Sequence, residues 1–408
     1  MTGLLPVAEA LSRLLHSGSP KTGSELVSLH DAGGRVLASD LSAKLTQPPF
    51  DNSAMDGYAV RADDLESGLP LRVTGEAAAG LGAPQSLGSG EAIRIFTGAP
   101  VPDGADTVLI QENAFVNPDG TITATSAPVK GRNIRPKGQD FKQDQVLLKQ
   151  GQILDAGHLT LAAAMNYPRV PVYRKPIVGI LATGNELLSP GSQLGPGQII
   201  GSNTFGVAEI ARAAGAEVID LGICPDRTDA IMAAVGNAQA QNVDILVTLG
   251  GASVGDHDLV QSSLRQLGMT LDFWRIAMRP GKPLMVGKLD GMHVLGLPGN
   301  PASSLVCSYL FLEPLIRRLG SLPGINRLQQ AVAGIALPAN DGRQDYIRSG
   351  LTSDSNGRAV ATPFLPQDSS MMRIFAHADC LLVRAPFETA LSQGDTCTIF
   401  RIKRSFSI

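Results

Sequence analysis

The sequence predicts a multidomain protein of α/β and β class. It combines a central α/β domain built on a parallel sheet, an inserted β module, a mixed α+β N-terminal domain and a small C-terminal β-barrel. Three observations carry this. Between residues 176 and 325 short apolar runs alternate with amphipathic stretches of helical period, as strands and helices wound into a parallel sheet do. Residues 60–140, and the chain beyond 326, instead alternate short apolar pieces with Gly, Pro and Asn-rich turns, the pattern of all-β modules. The 408 residues also exceed one core, because single cores stop growing near ~250–300 residues. The compositional shifts place residues 1–45 and 141–175 in a discontinuous N-terminal domain and 46–140 in the insertion. Residues 176–325 then form the α/β domain, and 326–408 the C-terminal β domain.

Taken in order, Val7, Ala10, Leu11, Leu14 and Leu15 repeat at helical spacing and predict an amphipathic helix that packs on a neighbour. The stretch 47–57 (QPPFDNSAMDG) cannot be regular, because two prolines precede small and polar residues. Its Asp51 and Asp56 are either functional carboxylates or turn caps, both ordinary uses of Asp. In the β module, residues 95–102 set Thr97 and Gly98 between a strand and a proline turn, and 132–140 (RNIRPKGQD) form a basic strip ending in Asp140. Residues 156–166 read as a short Ala-rich helix, and Pro168 and Pro176 mark a boundary.

The α/β pattern starts with a strand at 177–181 followed by ATGNEL (182–187). Helix 203–214, with Asn203 as a candidate cap, leads to strand 217–222 and then Asp226, and helix 229–240 follows. Strand 243–249 is apolar and β-branched, as a strand buried on both faces must be. It ends in Gly250-Gly251-Ala252-Ser253, a loop small enough for backbone N–H groups to face an anion, and then Asp256. Strand 293–297 runs into Pro298-Gly299-Asn300-Pro301, where Asn300 and Pro301 suit the N-cap and first position of a helix reaching 319. In a right-handed parallel sheet the four strand ends emerge on one edge, where such sheets take ligands. Glu186, Asp226 and Asp256 would then share a cleft. Unit charges ~4 Å apart repel by roughly 4 kcal/mol at an effective dielectric near 20. A hard cation such as Mg²⁺, which bridges carboxylates to phosphate, would offset that repulsion. Residues 275–283 (RIAMRPGKP) bring Arg279 and Lys282 on a Pro-Gly turn, cations suited to an oxyanion. The single tryptophan, Trp274, reads as core packing.

Composition excludes several classes. A net charge of −3 gives no nucleic-acid or membrane footprint, and no apolar run is long enough to span a bilayer. Four dispersed cysteines with no CxxC pair point to a reduced, cytoplasmic setting, and the six scattered histidines show no zinc motif.

Seven motifs in order, PPFDNSAMDGYAV (48–60), IFTGAPVPDGAD (95–106), NIRPKGQD (133–140), ATGNEL (182–187), TLGGASVGDHD (248–258), MRPGKP (278–283) and LPGNPASS (297–304), resemble the MoeA family of molybdopterin molybdenumtransferases, which is similar to the E domain of gephyrin. The resemblance spans nearly the whole chain. It implies a central domain of molybdopterin-binding type, an elongated four-domain protomer, and a homodimer whose cleft is completed by the partner's β module. It implies that adenylylated molybdopterin and molybdate are substrates, that molybdenum enters the dithiolene, and that AMP leaves with Mg²⁺ assisting. Carried over by motif, Asp56, Thr97, Asp140, Glu186, Asp226, Asp256 and Lys282 are the catalytic set, with Glu186, Asp226 and Asp256 as metal ligands. Gly250, Gly251, Ser253, Arg279, Pro283, Pro298, Gly299, Asn300, Pro301, Arg348 and Ser369 form the substrate-binding set. Many relatives carry lysine where this chain has Arg279. The implied partners are a molybdopterin-adenylylating protein and apo-molybdoenzymes. Two other readings differ in their chemistry: a molybdopterin adenylyltransferase, which would form the adenylate from ATP, and a non-enzymatic scaffold, which would tolerate loss of the acids.

Overall fold

Helix α1 (Val7–Ser17) buries Val7, Ala10 and Leu14 in the largest core of the molecule, the neighbour its apolar stripe calls for. That core belongs to a compact unit made of residues 1–23 and 173–408, while residues 24–172 make a second unit. The computed structural model describes residues 4–18, 23–81, 85–126, 128–250 and 259–403.

In the second unit, Leu37 and Leu41 share a core with Phe141, Leu148, Val170 and Val172, so chain from both sides of the insertion packs together. Helix α2 (Ala156–Ala164) closes this core, capped by Asp155, whose carboxylate accepts the His158 N–H. The insertion is a mixed sheet of β1 (Gly57–Val60), β2 (Leu71–Ala77), β3 (Glu91–Ile95), β4 (Thr107–Ile110), β5 (Ala114–Val116) and β6 (Thr121–Ala124) in the order β4-β1-β3-β2-β6-β5. Successive side chains point to opposite faces, so Ala59 and Val108 enter one core while Val60 and Leu109 enter another.

The α/β sheet contains β7 (Ile177–Thr183), β8 (Glu217–Cys224), β9 (Ile245–Leu249), β10 (Thr270–Trp274), and, after the two-residue β11 (Met278–Arg279), β12 (Met285–Leu289) and β13 (Met292–Leu297). The order is β8-β7-β9-β13-β12-β10. The first four are parallel, and β12 and β10 add an antiparallel edge. Every residue of β9 is buried, as its unbroken apolar run requires. Helices α3 (Asn203–Ala213), α4 (Thr228–Ala240) and α5 (Leu259–Gln266) cover the sheet; α3 contributes to one face's core, α4 and α5 to the other's. The helix after β13 starts at Pro301 with Asn300 as its N-cap, as the sequence indicates. α6 (Pro301–Cys307) runs through a π turn (Ser308–Leu312) into α7 (Glu313–Leu319). Trp274 is half-buried against the α4–α5 core.

Beyond it, β14 (Leu328–Ala333), β15 (Gln344–Ser353), β16 (Ala359–Pro363), β17 (Cys380–Arg384) and β18 (Thr396–Arg401) close into a five-stranded barrel, β15 pairing with both β16 and β17. The short β11 pairs in parallel with β15 and ties the barrel to the chain between β10 and β12.

Candidate functional site

The chain runs from β7 to its neighbour β8 and then crosses back to β9 on the other side of β7. That reversal makes β7/β9 the topological switch point of the sheet, where open α/β sheets hold ligands outside their strand ends. A cleft of ≈ 750 Å³ opens there. Its described lining includes Glu186, Asp226, Gly250, Pro283, Pro298, Gly299, Asn300 and Pro301, eight of the residues expected from the sequence. Gly251, Ser253 and Asp256 lie outside the described residues.

Two of the lining groups are carboxylates on neighbouring loops. The loops after β7 and β8 are joined by the Gly184 N–H donating to the Cys224 carbonyl at 3.1 Å. One step further, the Asn185 N–H donates to Asp226 Oδ2 at 3.3 Å and the Asp226 N–H donates to Asn185 Oδ1 at 3.1 Å. Gly184 sits at φ +153°, and a Cβ there would lie 2.5 Å from Glu186 Oε2, so glycine is what lets the Glu186 carboxylate fold back over the loop. Gly250, at φ +100°, meets the same requirement on β9's side, because a Cβ would come within 2.6 Å of the Thr183 carbonyl.

The opposite wall is set by side-chain amides. Asn203 is the first residue of α3 rather than its cap, because its Nδ2 is directed across the cleft wall to the Gly299 carbonyl at 2.7 Å and to Ser304 Oγ at 3.3 Å. Asn300 holds the N-cap position of α6 without a side-chain cap bond. Its Nδ2 donates instead to Ser369 Oγ at 3.1 Å, and the Ala302 N–H donates to the Ser369 carbonyl at 3.0 Å. This brings the barrel loop carrying Ser369 and Ser370 to the cleft, and Ser370 lines it. Arg348 builds that loop from below. Only 1% exposed, its guanidinium donates to Gln367 Oε1 at 3.1 Å and to the Asp368 carbonyl at 2.8 Å, and burial pulls its pKa down.

The cationic turn is anchored on its other side. Arg279 donates to Asp345, which is 6% exposed, and to Asp341 Oδ2 at 3.3 Å; the Asp345 contact raises its pKa. Its guanidinium is thus engaged by barrel acids. Lys282 is exposed beside the cleft-lining Pro283, and its carbonyl accepts from Ile276 and Leu284 N–H groups at 3.0 and 3.2 Å. Gly281 at φ +108° packs against α6, where a Cβ would stand 2.6 Å from Cys307 Sγ.

In the second unit, Asp56 and Thr97 meet. Asp56 Oδ1 accepts the Thr97 N–H and Oγ1–H, both at 2.8 Å. The backbone bond first, then the hydroxyl, hold its carboxyl below the usual range. Arg94 stands near, over the Tyr58 and Phe96 rings at 5.0 and 5.1 Å. Asp51 behaves as a turn cap, accepting the Lys137 N–H at 2.7 Å. Asp140 is exposed, its N–H bonded to the Gln47 carbonyl at 3.1 Å.

Sequence reasoning missed Asn185, Asn203 and Ser370 as builders of the cleft. The first lay inside a motif whose acid drew attention, Asn203 acts through bonds to residues about a hundred positions away, and Ser370 reaches the cleft only because the barrel loop that carries it folds there, none of which leaves a periodic trace.

Three family models match the chain in order. They are the MoeA N-terminal region (domain I and II) at residues 5–166, a probable molybdopterin binding domain at 179–318, and the MoeA C-terminal region (domain IV) at 330–401. A molybdopterin molybdenumtransferase of Haemophilus influenzae is 37% identical over 97% of this chain and 98% of its own length. One from Bacillus subtilis is 35% identical over 98% and 94%. The crystal structure of a molybdopterin biosynthesis MoeA protein from Pyrococcus horikoshii superposes with a TM-score of 0.84 at 30% identity, covering 99% of this chain and 100% of that one.

Proposed function

Since the chain belongs to the MoeA family of molybdopterin molybdenumtransferases, we propose that it acts in molybdenum cofactor biosynthesis by taking adenylylated molybdopterin and molybdate, inserting molybdenum into the dithiolene and releasing AMP. The observation that supports this most is the cleft at the sheet's switch point, which Glu186 and Asp226 line together with Gly250 and the Pro298–Pro301 turn. It suits a phosphate ligand at the carboxyl edge of a parallel sheet.

Glu186 and Asp226 suit Mg²⁺, which is held by one or two carboxylates together with water and substrate phosphate. Glu186 and Asp226 would hold the cation, with substrate phosphate oxygens available to it. Asp256 is the third acid of the set by family likeness. When bound, the cation neutralises charge developing on the phosphate oxygens as the anhydride breaks. The chain's own groups do the rest. The Gly250 backbone permits close approach of the ligand, Pro298, Gly299, Asn300 and Pro301 shape the wall, and Ser369 and Ser370 carry hydroxyls to the rim. Lys282 provides positive charge for the molybdate oxyanion, Arg279, paired with Asp345 and Asp341, anchors its turn, and Gly251 and Ser253 belong with the glycine turn. Arg348 acts by holding the serine loop.

We assign the Asp56–Thr97 pair and Asp140 to a second copy's cleft in a homodimer, with domain boundaries at residues 1–45 plus 141–175, 46–140, 176–325 and 326–408. The reading places the protein in the cytoplasm, beside a molybdopterin-adenylylating protein and apo-molybdoenzymes. No helix among the described residues is long and apolar enough to cross a membrane. The test supplies adenylylated molybdopterin, molybdate and Mg²⁺ and follows AMP. Molybdate-dependent AMP release with activation of an apo-molybdoenzyme is the expected result. Absence of AMP rejects the reading, and adenylate formation from molybdopterin and ATP would assign the preceding step instead.

A further inference from the structure

We infer that Asn185 is a positioning residue for the cation site, its side chain holding the Asp226 peptide so that the Asp226 carboxylate stays at the cleft. The inference rests on the metal assignment of the preceding subsection.

Asn185 and Asp226 lie just past the ends of adjacent parallel strands, where Thr183 of β7 is in register with Cys224 of β8. Such strand ends diverge into separate loops unless something joins them. Here the joining is reciprocal: the Asn185 N–H donates to Asp226 Oδ2, and the Asp226 N–H donates to Asn185 Oδ1. The first bond fixes the carboxylate rotamer and the second fixes the peptide that carries it. Only one carboxylate oxygen is used. Oδ1 of Asp226 has no hydrogen-bond partner among the described residues, and neither has the Glu186 carboxylate. Two acids therefore stand on one cleft with no ion pair among the described residues, the adjacent Arg227 being engaged by Asp229, and one Asp226 oxygen is held by the Asn185 backbone N–H. A neutral side chain suits this task, because Asn185 Oδ1 holds the Asp226 peptide without setting a positive charge beside the bound cation, where an arginine or lysine would compete with it.

A brace that served stability alone would also hold these loops together. Direct cation binding separates the two roles. Full-length wild type, Asn185→Ala, Asn185→Asp and Asp226→Asn are titrated with Mn²⁺ as the probe, read by electron paramagnetic resonance, alongside thermal unfolding. Asn185→Ala is expected to weaken Mn²⁺ binding about tenfold, the usual effect of removing an outer-shell partner. Asn185→Asp keeps an acceptor oxygen for the Asp226 N–H and is expected to bind near the wild-type level. Asp226→Asn marks the loss of the site. In turnover, Asn185→Ala is expected to raise the Mg²⁺ requirement and to recover the wild-type rate at saturating Mg²⁺. The inference is overturned if Asn185→Ala binds Mn²⁺ like wild type while losing only thermal stability, if Asn185→Asp fails as Asn185→Ala does, or if Asp226→Asn binds Mn²⁺ unchanged. A wild-type chain that binds Mn²⁺ through Asp226 yet releases no AMP rejects the transferase reading and leaves the Asn185 assignment standing.

Discussion

Replacing Gly184 with alanine tests how the acidic cleft is assembled, because it moves one functional atom group by a known amount. Gly184 sits at φ +153°, a conformation that costs a residue with a Cβ about 1–3 kcal/mol. The new methyl carbon would fall 2.5 Å from Glu186 Oε2 and 2.9 Å from its Cδ and Oε1. Those atoms end a flexible side chain, so the collision is relieved by moving the carboxylate rather than the backbone, by roughly 1 Å to reach ordinary contact. Misplacement on that scale costs up to about 10²-fold in rate where geometry governs the chemistry. Gly191→Ala is the control: φ there is +91°, and a Cβ would meet nothing within 4 Å. Both variants are expected to lose comparable stability, a few degrees in Tm at about 2–4 °C per kcal/mol for a domain of this size. Gly184→Ala alone is expected to lose AMP release and to require more Mg²⁺. Equal turnover in the two variants, or an unchanged rate in Gly184→Ala at every Mg²⁺ concentration, would refute the placement of Glu186 in the site.

Arg348→Met removes a guanidinium that holds Gln367 and the Asp368 carbonyl from within the core. It is expected to destabilise the chain by about 2–4 kcal/mol and to speed hydrogen exchange at residues 364–371, and unchanged protection there would deny the clamp. Arg279→Met leaves Asp345, 6% exposed, without its cation. The expected loss is about 1–3 kcal/mol, tempered because Arg279 is itself half exposed, and lysine should restore only part of it; a double-mutant cycle with Asp345→Asn that shows no coupling would contradict this. Asp56 is held acidic by Thr97, so its stabilising contribution is present above the ordinary carboxylate value near ~3.9 and is lost as pH falls through the lower folded-state value. Thr97→Val keeps the N–H donor and removes the hydroxyl. A ¹³C-carboxylate titration of the full chain should show the Asp56 midpoint rising, and a midpoint that stays put would exclude the hydroxyl's part.

The parallel strands were legible because burial on both faces leaves unbroken runs such as residues 245–249, and the edge on which their loops gather follows from handedness alone. The all-β character of the chain beyond residue 326 was legible too, and β14 to β18 lie there. The antiparallel edge was not, because RIAMRPGKP shows its charges and hides the fact that it connects two strands, β10 and β12, through the two-residue β11. Nor was the π turn at Ser308–Leu312, since one extra residue per turn barely disturbs an apolar period. In the site, the acids stood out by type and loop position. Their supports did not: Asn185 and Asn203 bond to groups 41 and 96 residues away, and a contact at that separation has no signature in local pattern. Arg348 entered through the family likeness, and the loop folded over it explains how a guanidinium lies in the core.

The proposed function requires the cleft between β7 and β9 to receive the phosphate of the released nucleotide, with a cation on Glu186 and Asp226. The most direct measurement is a crystal structure of the full-length chain grown with AMP and Mg²⁺. The expected density has the AMP phosphate over Gly250 and Mg²⁺ at about 2.0–2.1 Å from a carboxylate oxygen of Glu186 or Asp226. AMP bound away from that strand edge, or a cation that ignores both acids, would contradict it.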